Sequence, residues 1–385
     1  MTNNHQRLSE PGQKSEIKNC QRIVLTLDAG GTNFIFSAIQ GNKEIVEPIR
    51  FPSKADNLEA CLAVITGGFE NVMSKLPANA DAISFAFPGP ADYENGIIGD
   101  LPNFPSFRGG IALGPMLREQ FGIPVFINND GDLFAHGEAL FGLLPEINNR
   151  LEAAGSSKRH KNLIGFTLGT GIGCGIVLNG QMLQGDNSCA AEIHNTLNKY
   201  HPDWYAEESA CTRAIQRVYA ERSNQPFDRE LMPADIFNIA MKKKEGDQNA
   251  AIEAYRQYGE NLGSSIANVV ALVDGLMVLG GGITGAWELF GPAMLSEINR
   301  QYHGVDGTNF NRLSYKVFNL QDTSSFNVYA KGGYKELTVP GSQKVIHYDD
   351  MARVGIALSR LGAPKAIAMG AYAFALQKLD EHADF

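Results

Sequence analysis

The stretch Thr26-Leu27-Asp28-Ala29-Gly30-Gly31-Thr32-Asn33 decides the reading of this chain. Arg22 to Asp28 (RIVLTLD) is short, apolar and stopped by glycine, the pattern of a buried strand. Asn33 to Gln40 reads as the next strand and Gly41-Asn42 as the turn of a hairpin. Phosphates bind where several backbone N–H groups converge, and glycine lets the chain turn tightly enough to present them. Gly30, Gly31, Thr32 and Asn33 meet that need directly after a strand, and Thr32 adds a hydroxyl donor. Asp28, at the strand end, is placed to hold Mg²⁺ through water. Taken alone, Gly-Gly-Thr is equally a tight turn with no ligand.

The layout recurs near Leu163. Thr167-Leu168-Gly169-Thr170-Gly171 echoes Thr26-Leu27-Asp28-Ala29-Gly30, and Asn179-Gly180 closes the second hairpin as Gly41-Asn42 closes the first. Each copy heads one half of the chain. The duplication predicts two lobes of similar build, each bringing a glycine turn to a cleft between them. Glycine weakens strands, so Gly169, Gly171 and the glycines up to Gly180 are better explained by close approach to phosphate, with Thr170 in the turn. Gly280-Gly281-Gly282-Ile283-Thr284-Gly285 follows a strand and precedes a helix, formally matching GxGxxG. No βαβ unit with an acidic residue at the next strand end follows, which favours adenosine over a dinucleotide. The absence of a GxxxxGK[ST] pattern argues against a P-loop kinase.

At 385 residues the chain is too long for one ordinary core and suits two domains. The expected organisation is a disordered tail at 1–20 and an N-terminal lobe at 21–142, with 365–385 packing back onto it. A C-terminal lobe at 143–364 carries a β-rich insert at about 304–348. A third strand is expected at Ile45–Phe51, and helices at Asn57–Leu76, Ala112–Phe121 and Asp132–Leu140. Further helices are expected at Glu208–Glu221, Asn249–Leu272, Met351–Leu361 and Ala366–Leu379. The formal charge of −9, without a long basic run, argues against nucleic acid and against an anionic membrane as partners. The polar first 20 residues lack a signal-peptide core. Five widely spaced cysteines with no CxxC pair suit reduced thiols in the cytoplasm and argue against structural zinc.

Asn128-Asn129-Asp130-Gly131 follows a short buried strand. A carboxylate there, beside amides that can grip a hydroxyl, is what a general base for alcohol phosphorylation needs. Asp130 serves equally as the N-cap of the following helix. Glu192 and His194, after a Gly- and Ala-rich loop, are either polar-ligand groups or an ordinary loop pair. Asn103, between prolines and flanked by Phe104 and Phe107, is a sugar-binding candidate or a turn residue.

Together these pieces resemble the ROK family (repressors, open reading frames and sugar kinases) of the actin/hexokinase/Hsp70 superfamily. The likeness covers about Ile23 to Leu379 outside the insert. It implies an α/β, two-lobed actin-like ATPase (ribonuclease H-like) fold, with duplicated mixed sheets, flanking helices and an interlobe cleft. Asp28-x-Gly30-Gly31-Thr32 resembles the family's first phosphate motif, Gly169 to Gly175 its second, and Gly280 to Gly282 its adenosine motif. Asn129-Asp130 resembles its Asn-Asp pair, with Asp130 as catalytic base on the sugar. Ala191-Glu192-Ile193 fits the family signature, while His194-Asn195 stands where Gly-His is expected. The zinc-binding cysteine cluster is absent, which implies no zinc. Glu207 aligns with a sugar-contacting glutamate, and Glu208 competes for that role.

The resemblance implies a cytoplasmic, glucokinase-like ATP:hexose phosphotransferase. It would use ATP and Mg²⁺ on glucose, a related aldohexose or an N-acetylhexosamine. The alternatives are a catalytically inactive or regulatory sugar-binding protein and another ATPase of the superfamily. About 20 polar residues precede the first strand, too few for the helix-turn-helix of the family's repressors. A homodimer, with the insert as its contact, is left open.

Overall fold

The computed structural model of the chain describes residues 20–101 and 104–383. Asn103 and the expected tail, Cys20 excepted, lie outside the described residues. The first sheet is built from β1 (Ile23–Ala29), β2 (Asn33–Gln40), β3 (Lys43–Glu44), β4 (Ile49–Pro52), β5 (Ala82–Ala86) and, after the two-residue strands β6 (Ala91–Asp92) and β7 (Ile97–Ile98), β8 (Val125–Asn128). Its order is β3-β2-β1-β5-β8, with β4 also on β2. β1 and β2 pair antiparallel from Ile23↔Gln40 to Ala29↔Phe34. Gly41 and Asn42 both take positive φ (55° and 66°), as a two-residue hairpin turn demands. The strand expected at Ile45–Phe51 is broken: β3 stops at Glu44 and β4 starts at Ile49. Pro48 lies in the gap and has no N–H to give a ladder.

β1, β5 and β8 are parallel, and their register aligns Asp28 with Ala86 and Ala86 with Asn128. These strands are almost wholly buried, between an aromatic core on one side and a helical layer on the other. Phe34 stacks on Phe104, and Phe87 packs against Phe107. The helices α1 (Leu58–Met73), α2 (Leu113–Phe121), α3 (Asp130–Leu140) and α4 (Leu143–Ala153) complete this part of the chain; α4 was not foreseen.

The second sheet uses β9 (Leu163–Leu168), β10 (Ile172–Leu178), β11 (Gln181–Met182) and β12 (Leu276–Gly280), with helices α5 (Thr212–Ser223), α6 (Pro233–Ala240), α7 (Gln248–Val270) and α8 (Trp287–Ile298). β13 (Gln301–His303) and β14 (Asn309–Asn311) form a small hairpin ahead of β15 (Lys316–Asn319). Then come α9 (Thr323–Lys331), β16 (Tyr334–Thr338), β17 (Val345–Asp349), β18 (Arg353–Leu358) and the closing helix α10 (Ala363–Ala383). The sheet order is β11-β10-β9-β12-β18-β15. Asn179 and Gly180, at φ 51° and 85°, repeat the first hairpin's turn.

Two expectations fail in this half. The helix expected at Met351–Leu361 is the strand β18, parallel to both β12 and β15. Val354 to Ala357 are buried on both faces, and such a run has no alternation to distinguish strand from helix. The insert at 304–348 is not one β-rich flap. It contributes the edge strand β15 and the helix α9, while the β13–β14 and β16–β17 hairpins are exposed along nearly their whole length.

The chain divides into two compact units. One runs to Gly142 and takes in Gly175–Ala190 and the chain from Leu361; the other holds Leu143–Cys174 and Ala191–Arg360. The hairpin Gly175–Ala190 thus groups away from the 143–364 lobe in which the sequence reading put it. Its ties explain why. Gln184 Nε2 donates to Asn128 Oδ1 at 2.7 Å, and Gly175 sits so close to α3 that a Cβ would lie 2.2 Å from the Gly131 carbonyl.

In the first unit α10 packs on α3 through two glycines. A Cβ on Gly137 or Gly370 would lie 1.9 Å from the carbonyl of Ala366 or Leu133, so only glycine allows the approach. His136 of α3 is fully buried against the Gly370 carbonyl (3.3 Å), and burial pushes its imidazole down to about 4.

Candidate functional site

In the first unit the candidate residues converge at one end of the parallel strands. Asp28 and Asn128 lie at the carboxyl ends of β1 and β8, on either side of β5. Asp130 follows two residues later as the first residue of α3. Open α/β sheets bind ligands at this end of their strands. The N-cap of α3 is Asn129, not Asp130: Asn129 Oδ1 accepts the Gly131 N–H at 2.7 Å. The N-cap role that the sequence offered to Asp130 thus falls to Asn129.

The Asp130 carboxylate also accepts the Gly131 N–H, at 2.9 Å. Its surface reaches solvent, yet the surrounding protein strips enough hydration to raise its carboxyl above the ordinary value. The Gly131 bond opposes that rise, and the charge of Asp28 adds to it. Asp28 is itself raised by desolvation, with Arg50 pulling the other way.

The turn after β1 leaves Gly30, Gly31 and Thr32 exposed and Asn33 half-buried. A Cβ on Gly30 would lie 2.9 Å from the Asn33 carbonyl, so the turn closes only on glycine. Ser53, just past β4, fixes it from outside. Its hydroxyl donates to the Gly31 carbonyl and its N–H to the Thr32 carbonyl at 3.0 Å. Sequence reading missed Ser53, since nothing near it in the chain signals a partner 20 residues earlier. Arg108 was missed likewise; it donates to the carbonyls of Leu101, Phe104 and Phe107.

In the second unit the two glycine turns meet. β9 and β12 are parallel neighbours with Thr167 opposite Gly280, so Gly169–Gly171 and Gly280–Gly282 leave the sheet side by side. Gly281 has φ 97°, and a Cβ there would lie 2.3 Å from the Leu168 carbonyl. By contrast, a Cβ on Gly169 or Gly282 would meet nothing within 4 Å. The turns therefore combine close backbone packing at Gly281 with open space at Gly169 and Gly282.

Two side chains clamp the Gly169–Gly171 turn. Thr212 donates to the Gly169 carbonyl through its N–H (3.0 Å) and its hydroxyl (2.9 Å). Glu207 Oε2 accepts the Ile172 N–H at 3.1 Å. The predicted ligand group Glu207 is therefore also a structural partner of the second turn. Glu208 is engaged elsewhere, by Arg213 and Tyr205 at 2.9 Å each.

Glu192 precedes the short 3₁₀ turn Ile193–Asn195, His194 lies within it, and the two pair through Glu192 Oε2 and His194 Nδ1 at 2.8 Å. Both side chains are accessible. Among the described residues, no group of three or more His, Cys, Asp or Glu is placed to hold a metal. Among the described residues no two cysteines form a disulfide, and no helix is long and apolar enough to cross a membrane.

The model of the ROK family matches residues 24–318. This chain belongs to the ROK family. The crystal structure of a glucokinase from Parabacteroides distasonis is 51% identical, over 94% of this chain and 99% of that one, with a TM-score of 0.85. The glucokinase of Thermotoga maritima is 25% identical over 293 residues, 70% of this chain and 85% of that protein. The xylose repressor of Bacillus subtilis is 25% identical over 253 residues, which span 64% of this chain and 59% of the repressor. The fold is that of the ROK sugar kinases, an α/β actin-like ATPase fold.

Proposed function

We propose that this ROK protein is an ATP-dependent sugar kinase that phosphorylates a hexose hydroxyl, with Asp130 as general base. The observation that carries the reading is the pair of carboxylates at one strand end. Asp28 leads directly into a glycine turn, and Asp130 is raised by desolvation at the start of a helix that Asn129 caps. The proposed substrate is glucose, a related aldohexose or an N-acetylhexosamine, and the similarity to glucokinases supports the first of these.

ATP would supply the transferable phosphoryl group, and Mg²⁺ would neutralise its oxygens. The glycine turns at Gly30–Asn33 and Gly169–Gly171 would hold the phosphates by their N–H groups. Gly280–Gly282 would lie along the adenosine, and Asp28 would hold the metal through water. Asp130 orients the sugar hydroxyl and takes its proton as the oxygen attacks. A carboxyl raised toward the working pH is the better base. Asn129, Glu192, His194, Glu207 and Asn103 would grip the remaining hydroxyls.

The test is ADP release from ATP and Mg²⁺ against a panel of hexoses and N-acetylhexosamines. Release with an aldohexose is expected. Sugar binding without ADP release would overturn the kinase reading and favour a sugar-binding regulator.

A further inference from the structure

We propose that Asn198 is a positioning residue that holds the Glu192–His194 turn in fixed relation to Glu207; the inference rests on the sugar-kinase reading above. Asn198 is only 6% exposed, in a loop whose neighbour Leu197 is 76% exposed and whose Tyr200, Trp204 and Tyr205 all reach solvent. A buried amide is costly unless its hydrogen bonds are made. Here all four are. Oδ1 accepts the N–H groups of Tyr200 (3.1 Å) and His201 (3.2 Å). Nδ2 donates to the Tyr205 carbonyl (3.3 Å) and to Ser209 Oγ (2.7 Å). The backbone of Asn198 donates to the Trp204 carbonyl, and Ala206 donates to Thr196, so the loop from Thr196 to Ala206 is closed at its neck.

The neck joins two parts of the site. Upstream, Thr196 binds the Ile193 carbonyl through its N–H (3.1 Å) and hydroxyl (2.8 Å), which ties the neck to the turn that carries His194. Downstream, the same neck leads into Glu207, which holds the Ile172 N–H, and into Thr212, which holds Gly169. Asn198 thus sets the sugar-side turn against the clamp on the second phosphate turn. The phosphate turn keeps its own two clamps when Asn198 is lost. Disturbance therefore falls on the sugar side alone, an asymmetry that a purely structural residue would not show.

Steady-state kinetics of the full chain, with glucose and ATP varied separately, test this. Asn198→Ala is expected to raise the KM for glucose about tenfold while leaving the KM for ATP unchanged. Asn198→Asp keeps the acceptor for both N–H groups and can accept from the Ser209 hydroxyl, so it should recover part of the loss. Ser209→Ala removes one of the four bonds and should shift the glucose KM the same way by less; it serves if Asn198→Ala does not fold. An unchanged glucose KM in a folded variant, or an equal rise in both KM values, overturns the inference. If the wild-type chain phosphorylates no sugar, the kinase reading fails by itself. Calorimetric titration of glucose into wild type and Ser209→Ala then decides the inference. Weaker binding in the variant supports it. Equal binding, or none to wild type, overturns it.

Discussion

The two strand–turn–strand units share a backbone plan and differ in what they carry. The turn after β1 has an aspartate at its strand end and a second aspartate two strands away whose carboxyl it raises. The turn after β9 has no carboxylate of its own; Gly169 stands where Asp28 stands in the first copy. It is held instead by Glu207 and Thr212, which reach in from a segment more than thirty residues further on. The comparison teaches that the two copies keep one backbone plan while the proposed chemistry concentrates in one of them. Carboxylate substitutions in the first unit should therefore cost turnover, and glycine substitutions in the second should cost stability.

The sharpest way to break this contrast is Asp130→Asn, which is expected to lower kcat by about 10²-fold or more in a coupled ADP assay. Asp130 is raised in the folded chain, so at neutral pH its ionised form is disfavoured by the fold. The same variant should thus be as stable as wild type or more so in urea unfolding. Loss of turnover together with loss of stability would mean that Asp130 is structural.

Next in size, Gly281→Ala forces a Cβ against the Leu168 carbonyl at a positive φ. It is expected to cost about 2 kcal/mol or more in denaturant unfolding. Gly169→Ala meets open space and should cost less than about 1 kcal/mol. Equal costs would refute the packing account of the second turn.

Ser53→Ala and Thr212→Ala each remove one side-chain bond to a turn carbonyl. Each should cost about 1 kcal/mol and raise the KM for ATP without changing that for sugar. If only one of them moves the KM for ATP, the two turns do not share the phosphates.

The smallest effect is a pH shift. Asp28→Asn removes the neighbouring charge that raises Asp130, so the acid limb of the residual kcat/KM profile should move to lower pH. An unmoved limb would separate the two carboxylates. The buried histidines supply a stability counterpart. His136 is pushed down to about 4 and His160 to about 3, from an ordinary value of 6.5. The unfolded chain then binds more protons than the folded one below pH 6.5. Stability should fall as pH drops from there toward 4 and hold above it.

Much of the fold was legible because its signals are local. Gly41-Asn42 and Asn179-Gly180 announce their hairpins through φ alone, and short apolar runs ending in glycine announce β1 and β9. β18 was misread because a run buried on both faces carries no period. Pro48 should have split the third strand, a local signal that the apolar pattern around it hid.

By itself the sequence determined the two glycine turns, the strand-end carboxylates and the family to which they belong. Each of these depends on residues adjacent in the chain. Only the tertiary structure decided that Asn129 caps α3, that Gly281 packs on Leu168, that Ser53, Thr212 and Glu207 hold the glycine turns, and that Asn198 closes its loop. Apart from the Asn129 cap and the bonds of Asn198 within its own loop, those partners are brought together across tens of residues by strand register and helix packing. A hydrogen bond between distant residues leaves no pattern in a single chain.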